Sequence, residues 1–326
     1  MKPGYSLDEI LNRVNAEIEK IKYNHYSPQT LFDPITYILS LGGKRIRPAL
    51  ALMACNLYKE DVSPAIPIAL GIETFHNFTL LHDDLMDRAD VRRGKPTVHI
   101  KWNDNTAVLS GDAMLIEAYK EIGKVDSTHL SAILDLFSNT ATEICCGQQF
   151  DMEFEKRMDV TIPEYIEMIR LKTAVLLGCA LKEGAIVADA PDTDADNLYH
   201  FGINIGLAFQ LKDDLLDVYG DPASFGKKIG GDILCNKKTF LLINALSDPS
   251  AKEELMLWIN KEIYDENEKI KTITEIYDRL DLRKKSEDLI AEYYKKAINY
   301  LDEVNVSNER KNVLYNLAND LMFRNS

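Results

Sequence analysis

The chain has 326 residues, with 52 acidic and 38 basic (Lys and Arg) side chains and a formal net charge of −14 at pH 7. That balance argues against a nucleic-acid partner, whose footprint requires a basic surface. It leaves open an anionic small molecule, because a local basic cluster or a bound cation governs the field at a site. The five cysteines (Cys55, Cys145, Cys146, Cys179 and Cys235) are odd in number and show no CxxC spacing. They read as thiols in a reducing compartment, not as a disulfide frame or a zinc site.

The N-terminal stretch MKPGYSLDEILNRV lacks the apolar core of a signal peptide. The longest apolar run, 174–181, is too short to span a bilayer. A cytoplasmic protein without stable membrane insertion is expected. Residues 6–22 predict an amphipathic helix, with Leu7, Ile10, Leu11, Val14 and Ile18 on one face and Ser6 and Glu9 as a capping box. A second helix is expected over 29–40, stopped by Gly42-Gly43. The basic segment LGGKRIRP follows, and Pro48 suits the first turn of a helix that runs to Tyr58. Residues 64–87 read as a long apolar helix and VRRGKPTVH as a loop. Further helices are expected over 106–123, 127–154, 164–188 (containing Lys172 and Thr173) and 192–219. GDPASFGKKIGGDILCNKKTF reads as a Gly- and Lys-rich loop leading into a helix, and 251–321 as amphipathic helix with a charged, solvated outer face and no assigned chemistry. No linker or repeat interrupts the chain, so 1–326 is expected to be one all-α domain.

Two stretches carry the chemistry. The 64–87 helix ends in HDDLMD, with Asp83, Asp84 and Asp87, and the 192–219 helix carries KDDLLD, with Asp213, Asp214 and Asp217. At about 3.6 residues per turn, Asp83 and Asp87 share a face, as do Asp213 and Asp217. Like charges at this spacing repel unless a cation lies between them. Oxygen-only ligands suit a hard ion such as Mg²⁺. Each motif sits among Leu, Phe and Ile, where buried charge needs a partner, so a cation is favoured over a solvated face. Four basic clusters stand against the acidic background: Lys44/Arg45/Arg47, Arg92/Arg93, Lys227/Lys228 and Lys237/Lys238. Arginine forks phosphate and lysine serves as a point charge. The turns before the carboxylates are apolar on both helices: Phe75, Phe78, Thr79 and Leu81 on one, Ile203, Gly206, Leu207 and Phe209 on the other. Bringing the two helix ends together would give a cage of carboxylates for a diphosphate with a hydrocarbon tail, bridged by Mg²⁺. The reaction expected of it is ionisation, with electrostatic stabilisation of the departing pyrophosphate as the main catalytic effect.

Through GGKRIRP, LLHDDLMD followed by RRGKPT, GQQFD at Gly147, Lys172-Thr173, FQLKDDLLD, and GKKIGGD followed by Lys237, in that order, the chain resembles the trans-isoprenyl diphosphate synthases of farnesyl and geranylgeranyl type over nearly its whole length. The resemblance implies an all-α isoprenoid-synthase-type bundle of about ten or more helices around a deep central cavity, commonly a homodimer. It implies head-to-tail condensation of isopentenyl diphosphate with an allylic diphosphate. It implies that Asp83 and Asp87 hold two Mg²⁺ ions and Asp213 a third, with Mn²⁺ as the alternative ion, while Asp84, Asp214 and Asp217 serve as ligands or supporting acceptors. Isopentenyl diphosphate would lie against Lys44, Arg47, His76 and Arg93. The allylic diphosphate would meet Arg92, Lys172, Gln210, Lys227 and Lys237. The Thr173 hydroxyl, the Gln210 side-chain carbonyl and the Lys172 backbone carbonyl would stabilise the carbocation, and pyrophosphate would be the final base. Lys228 competes with Lys227 for one role, and Arg324 is a further candidate at the diphosphate.

In such an enzyme Phe75 and Phe78, eight and five residues before Asp83, would form the floor of the tail cavity. A long tail would collide with a ring there, so a product of about fifteen to twenty carbons is expected. A terpene cyclase of the same fold, or a non-catalytic synthase subunit, fits less well, because GGKRIRP and RRGKPT supply a second diphosphate site and both acidic motifs are complete. A metal phosphohydrolase of the HD type, suggested by His82-Asp83, normally needs further histidines, and no second HD pair occurs.

Overall fold

The computed structural model describes residues 4–221 and 229–323, almost entirely helical, so Lys227, Lys228 and Arg324 lie outside the described residues. The chain divides into two compact units. The first comprises Met1–Ser138, Cys179–Tyr199 and Val304–Val313; the second comprises Asn139–Gly178, His200–Glu303 and Leu314–Ser326.

The first unit opens with α1 (Leu7–Ile18). The Ser6 hydroxyl accepts from the Glu9 N–H while the Glu9 carboxylate accepts from the Ser6 N–H, which completes the expected capping box. The helix stops at Ile18, short of the expected end, where its apolar stripe gives way to Glu19, Lys20 and Lys22. Helix α2 (Gln29–Ser40) buries Phe32, Ile35, Ile38 and Leu39 in a core shared with Leu81, Val98, Ala107 and Met114. Helix α3 (Ile46–Tyr58) is buried on every side from Pro48 to Leu57, as an all-round apolar helix must be. Helix α4 (Ile66–Met86) follows a short 3-10 turn and carries the first acidic motif at its end.

Beyond α4 the expected loop is instead a small antiparallel hairpin, β1 (Val91–Arg92) paired with β2 (Lys95–Pro96). Its two turn residues, Arg93 (φ 52°) and Gly94 (φ 73°), both take the left-handed conformation that a two-residue turn needs to match strand twist. Helices α5 (Val98–Lys101) and α6 (Asp104–Ile122) follow, and α6 packs along α4 and α2.

Helix α7 (Ser127–Lys156) leads into the second unit. The single helix expected over 164–188 is broken. It consists of α8 (Ile162–Ile169), a five-residue π turn over Arg170–Ala174, and α9 (Val175–Ile186). Nothing in the local sequence RLKTA announces that widening, since it holds neither Gly nor Pro. Helix α10 (Asp192–Tyr219) spans the residues expected of it and carries the second acidic motif. After it come helices over Gly231–Leu234, Phe240–Ser247, Pro249–Ile259, Glu266–Arg279, Leu282–Asp302 and Asn308–Phe323. A core of Val218, Ile233, Leu241, Leu242, Ile273 and Tyr277 binds several of them together. No helix among the described residues is long and apolar enough to cross a membrane.

Candidate active site

In the first unit the carboxylates of HDDLMD differ in exposure. Asp84 is buried, Asp83 half-buried and Asp87 exposed. Both oxygens of Asp84 are taken by Arg92 of the hairpin, with Nε 2.7 Å from Oδ2 and Nη2 2.7 Å from Oδ1. This is the planar fork that fits guanidinium to carboxylate. Burial pushes the Asp84 carboxyl up from its ordinary value, and the guanidinium pulls it back. The fork docks the hairpin on the end of α4, and the Thr97 hydroxyl closes its base by donating to the Ala89 carbonyl at 2.6 Å.

Arg93 donates to the Gly42 carbonyl, which joins the hairpin to the GGKRIR segment. Within that segment Arg45 is not a free phosphate ligand. It is buried, in the left-handed conformation, paired with the buried Glu73 and donating to the Leu39 carbonyl at 2.7 Å. The Asn77 amide donates to the same Glu73 carboxylate at 2.8 Å. This buried network anchors the exposed Lys44 and the first turn of α3, where Arg47 Nη1 lies 3.2 Å from His76 Nε2. Burial, reinforced by Arg47, Arg93, Arg92 and Arg45, holds His76 well below the ordinary histidine range. It is therefore a neutral acceptor for the Arg47 N–H. Burial pulls Arg47 itself down to about 10, which leaves it cationic at neutral pH.

Phe75 is buried and Phe78 half-buried, with ring centroids 5.4 Å apart. Phe75 also meets Phe137 edge-on at 5.3 Å, and Phe78 meets His82 at 4.9 Å. His82 Nε2 lies 3.2 Å from the Val108 carbonyl, so this imidazole is committed to packing and a backbone contact. The HD-type reading gains nothing from it.

In the second unit the π turn lies against α7. A Cβ on Gly147 of α7 would lie 2.3 Å from the Lys172 amide nitrogen, so only glycine lets the α7 backbone touch the turn. π turns often mark functional sites, and this one presents both Lys172 and Thr173. Lys172 Nζ lies 2.6 Å from Asp151 of α7, and the Thr173 hydroxyl 3.4 Å from Gln210 Oε1 of α10. The Gln210 amide donates to Asp214 Oδ1 at 2.9 Å, and the Tyr165 hydroxyl to Asp214 Oδ2 at 2.6 Å. Burial pushes the Asp214 carboxyl up to about 6, against the pull of Lys237. Asp217, also buried, accepts from the Asp232 N–H at 3.0 Å, while Asp213 is half-buried. Lys237 donates its N–H to the Asp232 carbonyl at 2.9 Å, and its ammonium lies 3.7 Å from the Asp232 carboxylate. Burial works against the Lys237 charge, yet Asp214, Asp232, Asp151 and Asp217 together outweigh it and hold the group above the ordinary lysine range.

Asp151, Tyr165 and Asp232 were not singled out in the sequence. Asp151 had a signal, since it lies four residues after Gly147 in GQQFD, and Asp232 closes GKKIGGD. Tyr165 had none, because a tyrosine on an apolar helix face reads as core. Each acidic motif suits a hard divalent cation through its oxygen-only donors and its half-buried Asp83 or Asp213. Among the described residues no three carboxylate, imidazole or thiolate groups converge on one point.

The sequence profile of the polyprenyl synthetase family matches residues 28–278. A geranylgeranyl diphosphate synthase of Methanosarcina mazei is 41% identical over 244 residues, covering 73% of this chain and 75% of that one. One from Saccharolobus solfataricus is 36% identical over 309 residues, covering 93% and 92% respectively. A solved geranylgeranyl pyrophosphate synthase superposes with a TM-score of 0.92 at 42% identity, covering 99% of this chain and 100% of that one. The chain belongs to the polyprenyl synthetase family and has the all-α fold of the prenyl synthases.

Proposed function

We propose that this prenyltransferase condenses isopentenyl diphosphate head to tail with an allylic diphosphate, releasing pyrophosphate and an all-trans prenyl diphosphate. The allylic carbon–oxygen bond breaks, a carbon–carbon bond forms to isopentenyl diphosphate, and the proton lost passes to pyrophosphate. The observation that carries this reading is the pairing of each acidic motif with its own cations: Arg92 forks Asp84 in one unit, and Lys237 lies among the aspartates around Asp214 in the other. Asp83, Asp87 and Asp213, supported by Asp84, Asp214 and Asp217, are the residues we assign to Mg²⁺, three ions in all, with Mn²⁺ as the alternative. Bound there, the ions would neutralise the oxygens of the leaving group.

The remaining roles belong to the chain itself. Lys44, Arg47 and Arg93 hold isopentenyl diphosphate, and His76, kept neutral, orients Arg47 without adding charge. Arg92, Lys172, Lys227 and Lys237 hold the allylic diphosphate. Thr173 and Gln210, whose oxygens lie side by side, face the allylic carbons as positive charge develops there. The geranylgeranyl names of the relatives, with Phe75 and Phe78 packed as a pair, favour a product of about twenty carbons within the expected span.

We read 1–326 as one catalytic domain. A homodimer is favoured by Leu109 and Ile116, which are 58% and 57% exposed one heptad apart on α6. A cytoplasmic setting suits the exposed free thiols of Cys145, Cys146 and Cys235. The test is a product assay with Mg²⁺, isopentenyl diphosphate and dimethylallyl, geranyl or farnesyl diphosphate in turn, read by mass spectrometry. A discrete prenyl diphosphate supports the reading, and no condensation from any starter by well-folded protein would overturn it.

A further inference from the structure

The charged C-terminal third, whose outer face reads as plain solvated helix, buries Lys238, Lys269 and Lys311 among the described residues, and Lys269 is the most enclosed of the three. Lys269, in the first turns of the Glu266–Arg279 helix, is 1% exposed. Among the described residues its ammonium meets the Leu234 carbonyl at 3.3 Å, the Asn236 side-chain carbonyl at 2.8 Å and the ring of Tyr264 at 4.4 Å from its centroid, with no carboxylate. Burying a cation against neutral oxygens is costly, and a methionine of similar length would fill the space without that cost. What the ammonium adds is orientation of two oxygens, and both belong to the turn immediately before Lys237. The same turn is gripped from its other side. Lys238 Nζ donates to the Asn236 carbonyl at 3.1 Å and to the Glu155 carbonyl at 3.3 Å. Asn236 itself takes the left-handed conformation at φ 52°, so the peptide entering Lys237 has a fixed and uncommon direction. Next to Lys269, Ile270 presses on Gly230, where a Cβ would lie 2.6 Å from its Cδ1. The first turns of this helix therefore support the whole 230–236 segment.

We propose that Lys269 is a positioning residue for the allylic diphosphate. By holding Leu234 and Asn236 it aims Lys237, and so tunes allylic affinity without touching substrate. This rests on the assignment of Lys237 to that diphosphate. The test compares steady-state kinetics of wild type, Lys269→Met, Lys237→Ala and the double variant, with isopentenyl diphosphate and whichever allylic starter the wild type uses best. Lys269→Met is expected to raise the allylic KM about tenfold, the size of one lost charge-assisted hydrogen bond, with the isopentenyl KM unchanged. In the Lys237→Ala background it should add little, because both changes act through one group. Asn236→Gly, which tolerates the left-handed backbone and removes the side-chain carbonyl together with the amide that reaches the Ile259 carbonyl at 3.5 Å, should move the allylic KM in the same direction, and it serves if Lys269→Met does not fold. Equal shifts in both KM values, no shift, or full additivity with Lys237→Ala would each sink the inference. Loss of condensation already in the wild type would instead strike the function assigned above.

Discussion

HDDLMD on α4 and KDDLLD on α10 are nearly the same word, but their surroundings differ. At the first, the buried carboxylate of Asp84 is held by a permanently charged fork from a hairpin that begins only a few residues later. At the second, Asp214 is held by two neutral donors, the Tyr165 hydroxyl and the Gln210 amide, which come from α8 and from one turn back on α10. The apolar turns before the motifs differ as well. On α4 they carry the rings of Phe75 and Phe78. On α10 they include Gly206, where a Cβ would lie 2.8 Å from Ala174 of the π turn. One helix thus carries a pair of packed rings, and the other gives up the side chain at one position, Gly206, where the π turn approaches. A repeated motif fixes which groups are present, while the elements packed around it decide their charge and reach.

The comparison is broken most sharply by removing its carboxylates. If both motifs serve the reaction, Asp83→Ala and Asp213→Ala should each lower turnover by about a thousandfold or more, since each removes several kcal/mol of charge stabilisation. Circular dichroism would show the fold retained. A silent Asp213→Ala beside an inactive Asp83→Ala would make the second motif structural. Next come the clamps. Arg92→Ala strands a buried carboxylate and should cost about 3 kcal/mol in denaturant unfolding, since Arg92 is itself partly exposed. Tyr165→Phe leaves Asp214 its second donor and should cost only about 1–2 kcal/mol. Equal costs would mean that the two environments differ less than their geometry indicates.

Much of this could be read from the sequence, for identifiable reasons. The helices 29–40 and 192–219 were legible to the residue because apolar periodicity and stop signals agree there. The hairpin was not, because two-residue strands have no period to detect, although the adjacent Arg93 and Gly94 mark its turn. The π turn was invisible in Arg170–Ala174, which holds neither Gly nor Pro, and Gly147, which touches its backbone, lies in another helix. Arg45 and Arg47 look alike in GGKRIRP, and only the tertiary partners separate the buried anchor on Glu73 from the side chain beside His76. Lys269 was lost among the lysines of a charged helix, because nothing in its neighbours marks it as buried.

The difference in charge state can be sharpened by pH. In the folded protein burial lets Asp214 keep its proton up to about pH 6, whereas the unfolded chain releases it near the ordinary value of about 4. A group whose folded pKa is raised favours the folded state below the window and loses that contribution as pH rises through it. Asp214 should therefore contribute a fall in the stability of metal-free protein between about pH 4 and 6, and Asp214→Asn should make the slope there shallower. Glu183 acts with the same sign over a wider window, from its ordinary value near 4.5 up to about 8, which overlaps that of Asp214. It is fully buried, neither oxygen has a hydrogen-bond partner among the described residues beyond the weak Cys179 thiol, and burial pushes it up to about 8. Glu183→Gln should accordingly stabilise the protein at pH 8 and leave it unchanged near pH 4. Chemical denaturation of both single variants and of the double variant across this range separates the contributions; a slope between about pH 4 and 6 that is no shallower in Asp214→Asn than in wild type would refute the first.

The smallest effect in energy is the most informative about product. Phe78 is only half-buried, so Phe78→Ala should cost much less than the 3–5 kcal/mol or so expected for the fully buried Phe75. If the α4 rings limit the tail, removing Phe78 should lengthen the product by about one five-carbon unit, with turnover otherwise maintained. Mass spectrometry of the prenyl diphosphates reads this directly. Gly206→Ala is the matching change on α10. Its new methyl would strike Ala174 of the π turn, so it should slow the reaction and leave the length distribution alone. A product shift in Gly206→Ala with none in Phe78→Ala would reverse the assignment and place the length limit on the α10 side.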